Sequence, residues 1–135
     1  MPIDKVTVRK IGVAVFVLIA AACAGKPIHN VEGHAFPVAA QSLPPAKIRA
    51  AIIEAAEGRG WQVRPIAEGQ LEATYAPRAH KAVVDILYDR QTYSIRYKSS
   101  ENLKAEDGTI HHNYNRWVGN LDEDIQKKLS SAANK

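Results

Sequence analysis

Few residues in this chain are of types that do chemistry, and their spacing matches none of the common catalytic or metal-binding constellations. His111 and His112 are adjacent. In an extended segment neighbouring side chains point to opposite sides, so the pair is not expected to chelate one ion. His29, His34 and His80 are scattered, without the spacing of a zinc site. No serine carries the flanking glycines of a nucleophile elbow. Asp122, Glu123 and Asp124 place three carboxylates in a row. Near the start of a helix they have a simpler use, because acids there offset the helix dipole. One row has a pattern suited to recognition: Ser94, Arg96 and Lys98 on one strand, with Lys81 or Arg78 on its neighbour. Such cations suit the phosphates of lipid headgroups or lipopolysaccharide, or the carboxylates of peptidoglycan. A solvated sheet face is the simpler reading. No catalytic residue, metal ligand or cofactor is assigned, and the chain does not read as an enzyme.

The remaining reactive side chain is Cys23, the one cysteine of the chain. It ends an apolar run from Ile11 to Ala22, with Lys5, Arg9 and Lys10 ahead of it and one acid, Asp4. Crossing ~30 Å of hydrocarbon takes about 20 apolar residues, and this run falls well short of that. A secretory signal needs only about 7–15, with positive charge before and small residues after. Ala20, Ala21 and Ala22 are such small residues. The small-small-Cys ending resembles the lipobox of bacterial lipoproteins, with Ala20 where that family most often has Leu. The resemblance implies a diacylglyceryl thioether on Cys23, cleavage before it and acylation of the new amino group. It also implies attachment to a membrane through the lipid. Ala24, rather than Asp, follows the cysteine, which in that family points to the outer membrane with the domain facing the periplasm. A free thiol is a liability in an oxidising compartment, and acylation would consume this one. With a single cysteine no internal disulfide forms, and the core alone must hold the fold.

Removing the segment 1–22 leaves Cys23 to Lys135, long enough for one domain with its own core. The whole chain has 18 Lys and Arg against 14 Asp and Glu, a net charge of +4. The segment 1–22 holds three of those bases and one acid, so half of the excess leaves with it. The mild positive balance that remains is a weak argument for a polyanion partner, and nucleic acid is not expected.

The elements that must position these residues follow from periodicity. Residues 23–44 read as the lipidated cysteine and a tether, with Pro27, Gly33, Pro37 and Pro44 and no helical period, able to extend ~70 Å. Ile28, Val31, Phe36 and Val38 are more apolar than a solvated linker needs, which leaves a docked strand open. A domain follows over 45–130, with a frayed tail at 131–135. Its first helix starts near Pro45, with Ile48, Ala51, Ile52 and Ala55 as its stripe and Gly58 or Gly60 at its end. Trp61 to Arg64 alternates, and Pro65 makes that piece short or edge-bound. Leu71, Ala73 and Tyr75 define a second strand, and Val84, Ile86 and Tyr88 a third. Asp89 to Gln91 turns into a fourth, in which Tyr93, Ile95 and Tyr97 share the packed face. A polar loop spans 99–112. The second helix covers about 113–130 with Tyr114, Trp117, Val118, Leu121, Ile125 and Leu129 inward. Asn113 is its expected cap, although Gly119 favours a later start near Asn120. The fold class is α+β, a two-layer sandwich of helix, three- or four-stranded antiparallel meander and helix. Trp61, Tyr93, Tyr97 and Trp117 are assigned to packing.

The segments Arg59-Gly60-Trp61, Tyr93 to Tyr97, Ser100 to Leu103 and Ile110 to Ile125 resemble a group of small proteobacterial lipoproteins over roughly residues 45–129. That resemblance implies an envelope lipoprotein with an α+β domain and carries over no activity. Asn113, Asn115 and Arg116 surround Trp117 at the helix start and are expected to tie the 99–112 loop to the sheet edge. The expected function is a non-catalytic envelope lipoprotein that meets another envelope protein. The alternative is a module binding an anionic lipid or glycan through Arg96 and Lys98.

Overall fold

The computed structural model describes residues 25–135. The segment 1–22 read as a signal peptide, and Cys23, lie outside the described residues. Strands β1 (Lys26–Pro27) and β2 (Val31–Ala35) come first, then a 3-10 turn (Val38–Ser42) and helix α1 (Pro45–Gly58). Strands β3 (Gln62–Ala67), β4 (Gln70–Tyr75), β5 (Lys81–Tyr88) and β6 (Thr92–Glu101) follow, then β7 (Thr109–Ile110) and helix α2 (His112–Ala133). The main sheet is antiparallel throughout, in the order β2-β6-β5-β4-β3. β1 and β7 form a separate antiparallel pair. The architecture is the expected α+β sandwich, with five strands in the sheet rather than three or four.

The fifth strand comes from the segment read as a tether. Residues 25–44 carry β1, β2 and the 3-10 turn, and Val31, Phe36 and Ala40 are core residues. The tether reading is therefore corrected for this stretch. Each large apolar side chain removed from water contributes about 1.5–3 kcal/mol, and Val31 and Phe36 gain this by docking. Val38 does not follow them and stays 85 % exposed.

Helix α1 begins with Pro45 at its first turn and buries Ile48, Ala51, Ile52, Ala55 and Ala56. Gly60, at φ +90°, turns the chain out, and Trp61 N–H closes back on Ala56 O at 3.0 Å. A left-handed residue at that position suits glycine. β3 is an edge strand, as Pro65 requires. Asp89 builds the turn into β6 by accepting from the backbone N–H groups of Gln91 and Thr92 (2.7 and 2.8 Å). β6 runs on through Glu101 into the expected loop, and the loop itself is anchored by buried Leu103 and Ile110.

Helix α2 runs unbroken from His112 through the exposed Gly119 and beyond the expected end at 130. Its cap is His111, whose Nδ1 accepts from Asn113 N–H at 3.2 Å; Asn113 itself is inside the first turn. Tyr114, Val118, Leu121, Ile125 and Leu129 are buried as expected, whereas Trp117 is only half-buried. Among the described residues, no helix is long and apolar enough to cross a membrane.

Candidate functional site

The side chains read as a recognition row do share one surface. Alternation along β6 turns Tyr93 and Ile95 to the helices and Ser94 and Arg96 to the open face of the sheet. A bulge opposite Val83 and Val84 shifts the register at Lys98, which still reaches that face. The row is not free charge. Arg96 forks onto Glu32, with Nε to Oε1 at 3.0 Å and Nη2 to Oε2 at 2.9 Å. Lys98 donates to Glu72 at 2.8 Å and lies 3.5 Å from Asp85. Arg64 also donates to Glu72, at 3.0 Å. Three cations and three carboxylates thus neutralise one another across β2, β6, β5, β4 and β3. The hydrogen bonds from Lys98 and Arg64 hold the Glu72 carboxyl below its ordinary range, and Arg96 does the same to Glu32.

Lys81 and Arg78 sit elsewhere. Lys81 opens β5 and approaches Glu101 at 3.8 Å, and Arg78 lies in the β4–β5 turn at φ +56°. They face the end of the sheet where β6 runs into the 102–108 loop: Asn102 donates to Ala79 O, and His80 Nδ1 donates to Asn102 O at 2.8 Å. The row and these two residues do not form one site.

The residues assigned to packing are in the core or against it. Trp61 is buried and packs at a tilt against Tyr75, with ring centres 5.3 Å apart, and Tyr75 meets Trp117 edge-on at 5.0 Å. Tyr97 shares its hydroxyl with Ser100 at 2.9 Å and packs edge-on against Tyr114. Asn113 receives a hydrogen bond from Arg116 at 3.0 Å. The expected tie from this helix start to the 99–112 loop is not what forms. Asn115 instead clamps the first residues of the domain, accepting from His29 N–H and donating to Pro27 O, both at 2.9 Å.

His111 and His112 correct the expectation that they diverge. Their rings stack 4.3 Å apart, because the backbone bends from the cap into the helix instead of continuing as a strand. Desolvation, helped by His112, Lys104 and His80, lowers the His111 pKa below the ordinary value. Among the described residues, no group of three or more His, Cys, Asp or Glu side chains is placed to hold a metal ion.

A polar cluster absent from the sequence reading joins β2, β6 and α2. Tyr93 is 1 % exposed, and its hydroxyl donates to Asp122 Oδ1. His34 Nδ1 donates to the same oxygen at 2.7 Å. Gln126 Nε2 donates to the Tyr93 hydroxyl at 3.1 Å and to Ala35 O at 2.9 Å. Burial, then the Asp122 carboxylate, pushes the Tyr93 pKa well up, so the phenol stays a donor. The arrangement fixes the His34 ring against a carboxylate and latches the edge strand to α2. The row Asp122–Asp124 is therefore not a dipole cap: it lies mid-helix, where Asp124 pairs with Arg59 (2.5 Å) and Glu123 with Lys127 (3.0 Å). The signal that could have found the cluster is the i, i+4 pair Asp122 and Gln126, each one residue past a core position, Leu121 and Ile125.

The surface also has a shallow apolar groove between α1 and β3, with a volume of about 660 Å³. Ile53, Pro65, Ile66 and Tyr88 line it, together with Arg49 and Glu68.

Comparison with protein-family models, curated proteins and solved structures found no match.

Proposed function

We propose that this chain is a non-catalytic envelope lipoprotein, held at a membrane by an acylated Cys23 and acting as a protein-interaction or structural module. The observation that supports this most is that β1 begins three residues after Cys23 and pairs with β7, so residues that cleavage would keep are themselves part of the fold. All strands and helices of the described fold lie within Lys26–Ala133. Cleavage before Cys23 takes away none of these elements and leaves the cysteine beside the domain. With Ala24 after it, the outer membrane is the proposed address, and the domain faces the periplasm.

The surfaces available for a partner are faces rather than edges. Pro65 and the register shift beside it blunt β3, and a register shift beside Glu32 blunts β2. Edges of this kind resist strand addition. The open face offers alternating charges in fixed pairs, a pattern that a complementary protein surface reads better than a uniformly anionic one. The alternative, an anionic lipid or glycan held by Arg96 and Lys98, would first have to displace Glu32, Glu72 and Asp85.

Photo-crosslinking in cells tests the proposal, with the crosslinker placed at Ser94 on the open face or at Glu123 on α2. The expected result is one defined envelope protein captured from either position. Capture of lipid alone would count against an interaction module.

A further inference from the structure

The first described residues are fastened to the domain. A Cβ on Gly25 would stand 2.7 Å from Ile110 O, so the two backbones are in direct contact. Lys26 and Pro27 pair with Ile110 and Thr109, and Ile28 N–H donates to Gly108 O at 2.9 Å. Asn115 closes the clip from α2. Only two Cα steps separate Cys23 from Gly25, a reach of at most about 7 Å.

From this we infer that the domain does not hang from its anchor but sits directly on the bilayer, with the β1–β7 end against lipid headgroups. The inference rests on the proposed acylation of Cys23. An acylated sulfur lies at the level of the headgroups, and a clip that begins two residues later brings its surroundings there. Those surroundings are the 102–108 loop, the start of α2 and the β4–β5 turn. Lys26, Arg78 and Lys104 are exposed there, and among the described residues none of these three has a carboxylate within 4.0 Å, whereas Lys81 beside them pairs with Glu101 at 3.8 Å. Glu106 and Asp107 lie in the same loop, and the stacked His111 and His112 adjoin it. Cations without carboxylate partners at this end contrast with the fully paired cations of the open face. They suit the phosphates of an anionic leaflet, which attracts basic residues held close to it.

The opposite end of the sheet gives the internal reference. Arg90 lies in the turn before Thr92, and β6 carries the chain from there to Glu101, about 30 Å at the usual rise per residue. Acylation of Cys23 leaves no other thiol in the chain, so a cysteine introduced at one site is labelled alone.

The full-length lipidated protein is made with Ala105→Cys or with Arg90→Cys and labelled with a fluorophore. It is then placed in phosphatidylethanolamine–phosphatidylglycerol vesicles that carry a nitroxide on the headgroup. Quenching at 105 is expected to exceed quenching at 90 several-fold. A long Gly-Ser insertion between Ala24 and Gly25 is expected to abolish that difference. Equal quenching at both sites in acylated protein overturns the inference alone. A mass showing an unmodified Cys23 overturns the inference together with the lipoprotein reading.

Discussion

Gly25 lies against Ile110 so closely that a methyl group on it would meet the Ile110 carbonyl at 2.7 Å. The contact makes Gly25→Ala a specific test of the N-terminal clip. Overpacking of this kind costs about 1–3 kcal/mol, and here the clip can open without unfolding the sheet. Hydrogen exchange should show loss of protection at the Ile28 and His29 amides, which bond to Gly108 O and Asn115 Oδ1, while β5 stays protected. Unchanged exchange at both amides would show that the clip does not depend on this approach.

Two buried tyrosines should respond to the same substitution in opposite directions. The Tyr93 hydroxyl is bonded to Asp122 and Gln126, and a hydrogen bond to a charged group contributes about 1.5–3 kcal/mol. Tyr93→Phe is expected to lower stability by that amount in urea denaturation. The Tyr114 hydroxyl is buried with no partner among the described residues. Tyr114→Phe removes a desolvated group without breaking a bond, and stability should rise by about 1 kcal/mol. Equal losses in the two variants would contradict the assigned bonding.

Alkaline stability follows from the same residues. Burial above all raises the Tyr93 pKa over the ordinary 10.0, and burial raises that of Tyr114 as well. A raised folded pKa means that the unfolded chain loses its proton first. The contribution is complete below the ordinary tyrosine value of 10.0 and is lost as pH climbs above it. Denaturation midpoints measured across that range should fall, and less steeply in Tyr93→Phe. On the acid side the sign reverses: Glu32, Glu72, Asp89 and Asp124 are all lowered by their donors. Their contribution is present above the ordinary carboxylate values and is lost as pH falls through the lowered ones.

The open sheet face should not carry membrane affinity. Arg96→Glu combined with Lys98→Glu breaks pairs with Glu32, Glu72 and Asp85 and leaves the β1–β7 end untouched. Made with Cys23→Ser so that no lipid holds it, the variant is expected to co-sediment with anionic vesicles to the same extent as the otherwise unsubstituted Cys23→Ser protein. Loss of binding would restore Arg96 and Lys98 as a headgroup site.

Strong periodicity was legible in the sequence, and local pairing was not. The stripe Ile48, Ala51, Ile52 and Ala55 and the alternation Tyr93, Ile95, Tyr97 each repeat long enough to declare helix and strand. β2 is short, Val31–Ala35, with a register shift inside it, so its alternation never accumulates, and the prolines around it read as linker. The start of α2 was legible to within one residue, at 113 against His112, but its cap is His111 rather than Asn113, and the later start that Gly119 favours does not occur because the buried stripe around it meets the helix cost. The Tyr93, Asp122 and His34 cluster joins residues up to 88 positions apart. The i, i+4 pair Asp122 and Gln126 marks only the α2 side of it, and Asp122 reads as an acid offsetting a helix dipole until α2 is known to start at His112.

The lipoprotein reading is tested most directly by the intact mass of the N-terminal peptide from membrane-extracted protein. The expected peptide begins at Cys23 and carries the added mass of a diacylglyceryl group and an amide-linked acyl chain. A peptide that retains Met1 to Ala22, or one that begins at or near Cys23 with a free thiol, would contradict the lipid anchor.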